Sequence, residues 1–229
     1  MKKFELTTEY KEKFGKKLFR IRALINFGNI AAGEIGGYIE KESNLSQSGN
    51  AWVAGNAEVY GDAWVYGNAE VYGNAEVYGN AWVYGNAEVY GDAKVYGDAK
   101  VAGNAEVYGD AEVAGNAEVY GDAEVYGDAK VAGNAEVYGN AEVYGDALVY
   151  GNAEVYGNAD YATIKGFGTI CRNTTFFRCK DNLSRVKCGC FYGTIDEFRE
   201  QVNKTRDGKI AKEYLMIADL MEYHFSEEE

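Results

Sequence analysis

The chain has 229 residues but only one histidine, His224, and no proline. A single histidine excludes any mechanism that needs two. No apolar run approaches the ~18 residues that a membrane-spanning helix needs. The opening MKKFELTTEYKEK has a basic tip without the apolar segment of a secretory signal. The expectation is a cytoplasmic protein, off the membrane, whose four cysteines are reduced thiols. Positive charge is also scarce. Lys and Arg total 23 against 36 Asp and Glu, a net charge of −13. That balance argues against a protein that tracks nucleic-acid phosphates directly. The hydrophobic share, 47%, is ordinary for a folded chain and argues against disorder.

What the sequence has is a repeat. Residues 49–156 form 18 consecutive units of six, G-[ND]-A-x-V-[YA], without insertion or deletion. Ala-x-Val is a short strand whose Ala and Val face one side and whose x faces the other. Gly-Asn and Gly-Asp supply the corner, because both residue types tolerate positive φ. Glycine at every sixth position rules out a helix. One unit cannot bury its apolar side alone. Three units make a triangular coil whose strands pair with those one coil away, so 18 units predict six coils, ~29 Å long at ~4.8 Å per coil.

This pattern resembles the hexapeptide repeat of left-handed parallel β-helix proteins. The match spans about half of the chain. The stretches Phe19-Arg20-Ile21-Arg22-Ala23-Leu24 and Gly33-Glu34-Ile35-Gly36-Gly37-Tyr38-Ile39-Glu40 look like the leader of phage- and prophage-encoded members. Thr175-Phe176-Phe177-Arg178-Cys179 and Val186-Lys187-Cys188-Gly189-Cys190-Phe191 are similar to a small module of phage proteins. The resemblance implies a left-handed winding; spacing alone permits either hand. It also brings the label of a trimeric acyltransferase-like superfamily, a label that rests on the repeat.

Side chains 18 apart fall into one column, so the outward x positions sort into three faces. The first reads Trp52, Glu70, Glu88, Glu106, Glu124, Glu142. The second reads Glu58, Glu76, Lys94, Glu112, Lys130, Leu148. The third reads Trp64, Trp82, Lys100, Glu118, Glu136, Glu154. Face one stacks five glutamates with no cation between them, a destabilising arrangement of ~0.2–1 kcal/mol per pair. Two readings stand. The carboxylates splay into water for solubility, or they meet something positive, a divalent cation or a basic partner. The repeat holds 11 Glu, 7 Asp and 3 Lys, a net of −15, between an N-terminal segment of +3 and a tail of −1. Such a rod could imitate nucleic acid.

Position six is Tyr in 14 units and Ala in Ala54, Ala102, Ala114 and Ala132. Tyrosines such as Tyr72, Tyr90, Tyr108, Tyr126 and Tyr144 are expected to stack as ladders. Trp64, Trp82 and Lys100 share a column, which permits a cation–π contact. With Trp52 they suggest an aromatic contact surface, covered by the N-terminal segment of the same chain.

A solenoid exposes two strand edges that must be covered. The expected organisation is an N-terminal cap (1–42), the β-helix (43–162) and a C-terminal ββαα module (163–229). In the module a hairpin turns at Asp181-Asn182, and Thr194-Ile195-Asp196-Glu197 caps a helix bearing Ile195, Phe198 and Val202. A second helix carries Ile210, Tyr214, Ile217 and Met221 after Gly208. The cysteines are spaced C-x7-C-x8-C-x-C, without paired zinc knuckles. Buried thiols are the expectation; a metal site at Cys179, Cys188 and Cys190 is the weaker alternative. His224 reads as a surface residue near a helix end.

Three functional classes remain. The repeat has no histidine, serine, cysteine or projecting loop, so an acyltransferase-like enzyme lacks a general base there. Catalytic residues and cofactors are therefore expected to be none. A binding protein is favoured: a phage-encoded modulator of a host factor, acting on a protein partner through the face-one glutamates and the tryptophan patch with Lys100. A self-associating rod, a homo-oligomer, is the third.

Overall fold

The structure, a computed structural model, describes residues 1–168 and 171–226. It is a parallel β-solenoid closed at each end by antiparallel strands. Three strands open the chain: β1 (Phe4–Lys13), β2 (Lys16–Ala23) and β3 (Ile35–Ile39). Strands β4 to β21 follow, one two-residue strand per repeat, from Trp52–Val53 to Glu154–Val155. They sort into three sheets, each strand paired in parallel with the one 18 residues away, as in Glu88↔Glu106 and Trp64↔Trp82.

Two-residue strands suffice because every coil bonds to the next through its corners as well. In one unit Asn86 N donates to Gly103 O (2.7 Å), Glu88 N to Ala105 O (3.0 Å) and Tyr90 N to Val107 O (3.0 Å). The backbone is thereby satisfied without long strands. The repeat glycines hold φ between 64° and 81°, a region closed to most L-residues. Inside, the Ala and Val of each unit form one continuous core, most of them fully buried.

The N-terminal cap is a strand meander, β1–β2–β3, with β3 joined in parallel to the face-two sheet at Glu58–Val59. Phe4, Ile21 and Ile39 extend the solenoid core upward. Lys3 is buried with them. Its Nζ donates to Ala51 O at 2.8 Å, and desolvation pulls its pKa down to about 8.

The tail departs from the expected ββ hairpin. It is a four-stranded antiparallel sheet, β22 (Tyr161–Phe167), β23 (Arg172–Arg178), β24 (Ser184–Cys188) and β25 (Phe191–Thr194), followed by α1 (Ile195–Thr205) and α2 (Gly208–Phe225). Its first strand starts at Tyr161, inside the segment assigned to the repeat. The turn at Asn182 (φ 60°) and the Thr194–Glu197 capping box stand where expected. Ile195, Phe198, Val202, Tyr214, Ile217 and Met221 are buried in the tail's own core, while Ile210 packs against it half-buried. Strand β23 also closes the last coil. Phe177 and Cys179 enter the solenoid core, and Thr175 Oγ1 accepts from Leu148 N at 3.0 Å. No described helix is long and apolar enough to cross a membrane.

Candidate functional site

The repeat places three columns side by side along the edge between faces one and two. Face one carries Glu70, Glu88, Glu106, Glu124 and Glu142 in direct cross-strand register. Next to it runs the tyrosine ladder Tyr72, Tyr90, Tyr108, Tyr126, Tyr144, whose ring centroids are 4.8 to 5.4 Å apart. Around the corner come Asn56, Asn74 and then four consecutive aspartates, Asp92, Asp110, Asp128 and Asp146.

The ladder does more than stack. Each phenol reaches the glutamate of the following coil: Tyr72 donates to Glu88 (2.7 Å), Tyr90 to Glu106 (2.7 Å), Tyr108 to Glu124 (2.8 Å) and Tyr126 to Glu142 (3.2 Å). Glu88, Glu106, Glu124 and Glu142 are therefore each held by a neutral donor, which fixes them without cancelling their charge. The bonded Tyr and Glu are 16 residues apart, two short of a full coil. Glu70 meets Ala54 where the others meet tyrosine, and desolvation with the Glu88 charge beside it raises its pKa.

The same contact governs the phenols. Desolvation, the hydrogen bond to a carboxylate and that carboxylate's charge raise the pKa of Tyr72, Tyr90 and Tyr108. Burial and the Glu136 charge push Tyr120 up to about 12. Below pH ~10 the phenols are neutral whether the chain is folded or unfolded, and their contribution to stability is complete. Above it the unfolded chain releases protons that the fold retains, so stability falls as pH rises toward 12. Melting temperature measured by circular dichroism is expected to drop steeply above pH ~10, with the phenolate absorbance of the glutamate-bonded tyrosines appearing together with unfolding. Phenolate forming at Tyr72, Tyr90 or Tyr108 within an intact fold, resolved by difference spectra against their Tyr→Phe variants, would contradict the Tyr–Glu bonding.

Compensation elsewhere is uneven. On face two Lys13 pairs with Glu58 and Glu76 (2.5 and 2.6 Å), Lys11 pairs with Glu58, and Lys130 pairs with Glu112. On face three Lys100 pairs with Glu118 at 2.7 Å and Lys180 pairs with Glu136. Of the nine face-one and corner carboxylates, only Asp146 has an ion-pair partner among the described residues, Lys165 at 2.5 Å.

The aromatic patch is split. Trp52 is 2% exposed, edge-on to Phe27 at 5.5 Å and seated over Gly36, where a Cβ would lie 2.6 Å from its ring. The N-terminal cap thus covers Trp52 alone and removes it from the candidate binding residues. Trp64 and Trp82 stay 38% and 41% exposed, packed with Tyr66. Lys100 lies beside Trp82 in register, but its ammonium turns to Glu118, a stronger partner than a ring face.

The cysteines are not gathered. Cys179 is buried at the solenoid end, and burial raises its pKa. Cys188 pairs in register with Thr174, five residues back along β23 and so roughly 17 Å from Cys179. Cys171 and Cys190 are exposed. No cluster of three His, Cys, Asp or Glu able to hold a metal occurs among the described residues, and the set Cys179, Cys188, Cys190 does not converge. His224 lies in the last turn of α2, packed on Phe225. No family model matches the chain, and no curated protein matches it.

Proposed function

We propose that this chain is a non-enzymatic binding protein whose face-one and corner carboxylates engage a basic protein surface. The observation that carries this reading is the run of nine aligned carboxylates with one ion-pair partner among the described residues, beside faces whose glutamates are largely paired. Evenly spaced, pre-positioned charge costs little to organise on binding and steers a cationic partner. The repeat carries −15 over ~29 Å, about one charge per 2 Å of rod. Duplex DNA carries one per ~1.7 Å. That match favours a partner whose basic surface ordinarily holds nucleic acid. The phage-type resemblance of the flanks supports a phage-encoded modulator of such a host factor, acting in the host cytoplasm.

The test is capture from host lysate followed by two elutions, one with salt and one with duplex DNA. A partner released by both, and lost on the combined substitution Glu88→Gln, Glu106→Gln and Asp110→Asn, is the expected result. Glutamine can still accept the tyrosine hydrogen bond, so that variant keeps the ladder and removes only charge. A partner that withstands high salt, or that binds the variant equally, overturns the reading.

A further inference from the structure

One tyrosine column is interrupted by a single residue. It runs Tyr66, Tyr84, Ala102, Tyr120, Tyr138, Tyr156. Tyr66 and Tyr84 stack at 4.9 Å with planes 4° apart, and Tyr120 and Tyr138 at 4.9 Å with planes 1° apart. The backbone does not close the gap between the two pairs. Ala102 N donates to Val119 O at 2.9 Å, as Tyr84 N does to Val101 O at 3.0 Å. Tyr84 and Tyr120 are therefore held two coil steps apart, roughly 9.6 Å. One further ring placed midway would face each of them at close to the 4.9 Å spacing of the stacked pairs on either side.

The gap is real space. About 350 Å3 opens between Tyr84 and Tyr120, floored by Ala102 and flanked by Gly103, Gly121 and the Lys100–Glu118 pair. The other alanines at this position make no such slot. Ala54 stands at the head of its column. Ala114 and Ala132 are neighbours in theirs, so Tyr96 and Tyr150 lie three steps apart, too far for one ring to touch both.

The geometry points to a binding site for a free planar aromatic compound, one ring thick, intercalated between Tyr84 and Tyr120. The two walls supply π faces, and stacking on aromatic faces tolerates any flat ring. The Lys100 ammonium and the Glu118 carboxylate at the rim select a substituent that hydrogen-bonds, such as a hydroxyl or a ring N–H. The surrounding negative charge disfavours an anionic ring. This site lies at the edge between faces three and one, away from the Tyr72–Tyr144 corner, and does not depend on the acidic-face reading.

Indole is the probe, titrated into the full chain by calorimetry and by ligand-observed nuclear magnetic resonance. Cyclohexanol, apolar but puckered and without a π face, is the comparison. The wild-type chain is expected to bind one indole saturably and cyclohexanol at least tenfold more weakly. Ala102→Tyr completes the ladder, so indole binding should fall at least tenfold while the melting temperature rises. Tyr120→Ala removes a wall and should weaken binding severalfold, which keeps the test sharp if Ala102→Tyr folds poorly. Ala114→Tyr, in another column, should leave binding unchanged. Absence of saturable indole binding, equal binding of cyclohexanol, or retention of binding by both Ala102→Tyr and Tyr120→Ala overturns the assignment.

Discussion

Deletion of residues 1–39 is expected to turn the chain into concentration-dependent assemblies, read as a rise in scattering mass over a tenfold range of concentration. The cap is bonded into the first coil: Tyr38 N donates to Ala57 O at 2.9 Å and Glu40 N to Val59 O at 3.1 Å. Deletion removes Tyr38 and leaves Glu40 at a new, unanchored chain end. It also strips Phe27 and Ile21 from Trp52 and Val53, which are buried at present. The result is an unpaired parallel edge over an apolar end, the arrangement that templates strand addition from another chain. The coils below keep their own inter-coil bonds, because stability in a stacked repeat is a sum of neighbour terms. Circular dichroism should therefore retain its strand signal while mass increases. A truncated chain that scatters like the full-length protein at every concentration would show that the cap is not what prevents end-to-end pairing.

The same contrast between local and long-range order explains what could be seen in the sequence. A strict period of six with glycine at each corner leaves one way to bury Ala and Val together, so the columns Trp64–Trp82–Lys100 and Glu88–Glu106–Glu124 follow from counting alone, and the strand register agrees. Side-chain reach is another matter. That Tyr90 would turn to Glu106, 16 residues on, depends on how far the corner projects the ring, which no spacing rule contains. The cap was harder still. Lys13 meets Glu76 across 63 residues of sequence because β1 and β2 fold back along face two, and nothing periodic in residues 1–42 encodes that placement. Trp52 looked like its counterparts Trp64 and Trp82 in the repeat, yet Phe27 and Gly36 bury it through contacts that lie outside the pattern. Strands β22 and β25 were missed because they lack alternation and take their places from pairing with β23 and β24.

The corner glycines separate backbone conformation from coil spacing, and two substitutions can measure each. Gly103→Ala should destabilise far more than Gly145→Ala, although both residues sit at positive φ, 76° and 64°. Placing an L-residue in that region costs ~1–2 kcal/mol at either site. At Gly145 nothing lies within 4 Å of an added Cβ, so that cost is expected to be the whole effect. At Gly103 the Cβ would stand 2.8 Å from Gly121 O and 2.9 Å from Gly121 N, both backbone atoms of the next coil. Relief requires the two coils to part at that corner, where Asn104 N donates to Gly121 O at 2.7 Å and Asn104 Nδ2 donates to Asp122 at 2.9 Å. Each of those bonds is worth ~0.5–1.5 kcal/mol net, and the disturbance reaches the close-packed Ala and Val beneath. Gly103→Ala is therefore expected to cost about twice as much as Gly145→Ala or more in denaturant titrations. Equal losses at the two sites would mean that the coils yield at their corners, and the fixed spacing that positions the carboxylate columns and the Ala102 gap would lose its physical basis.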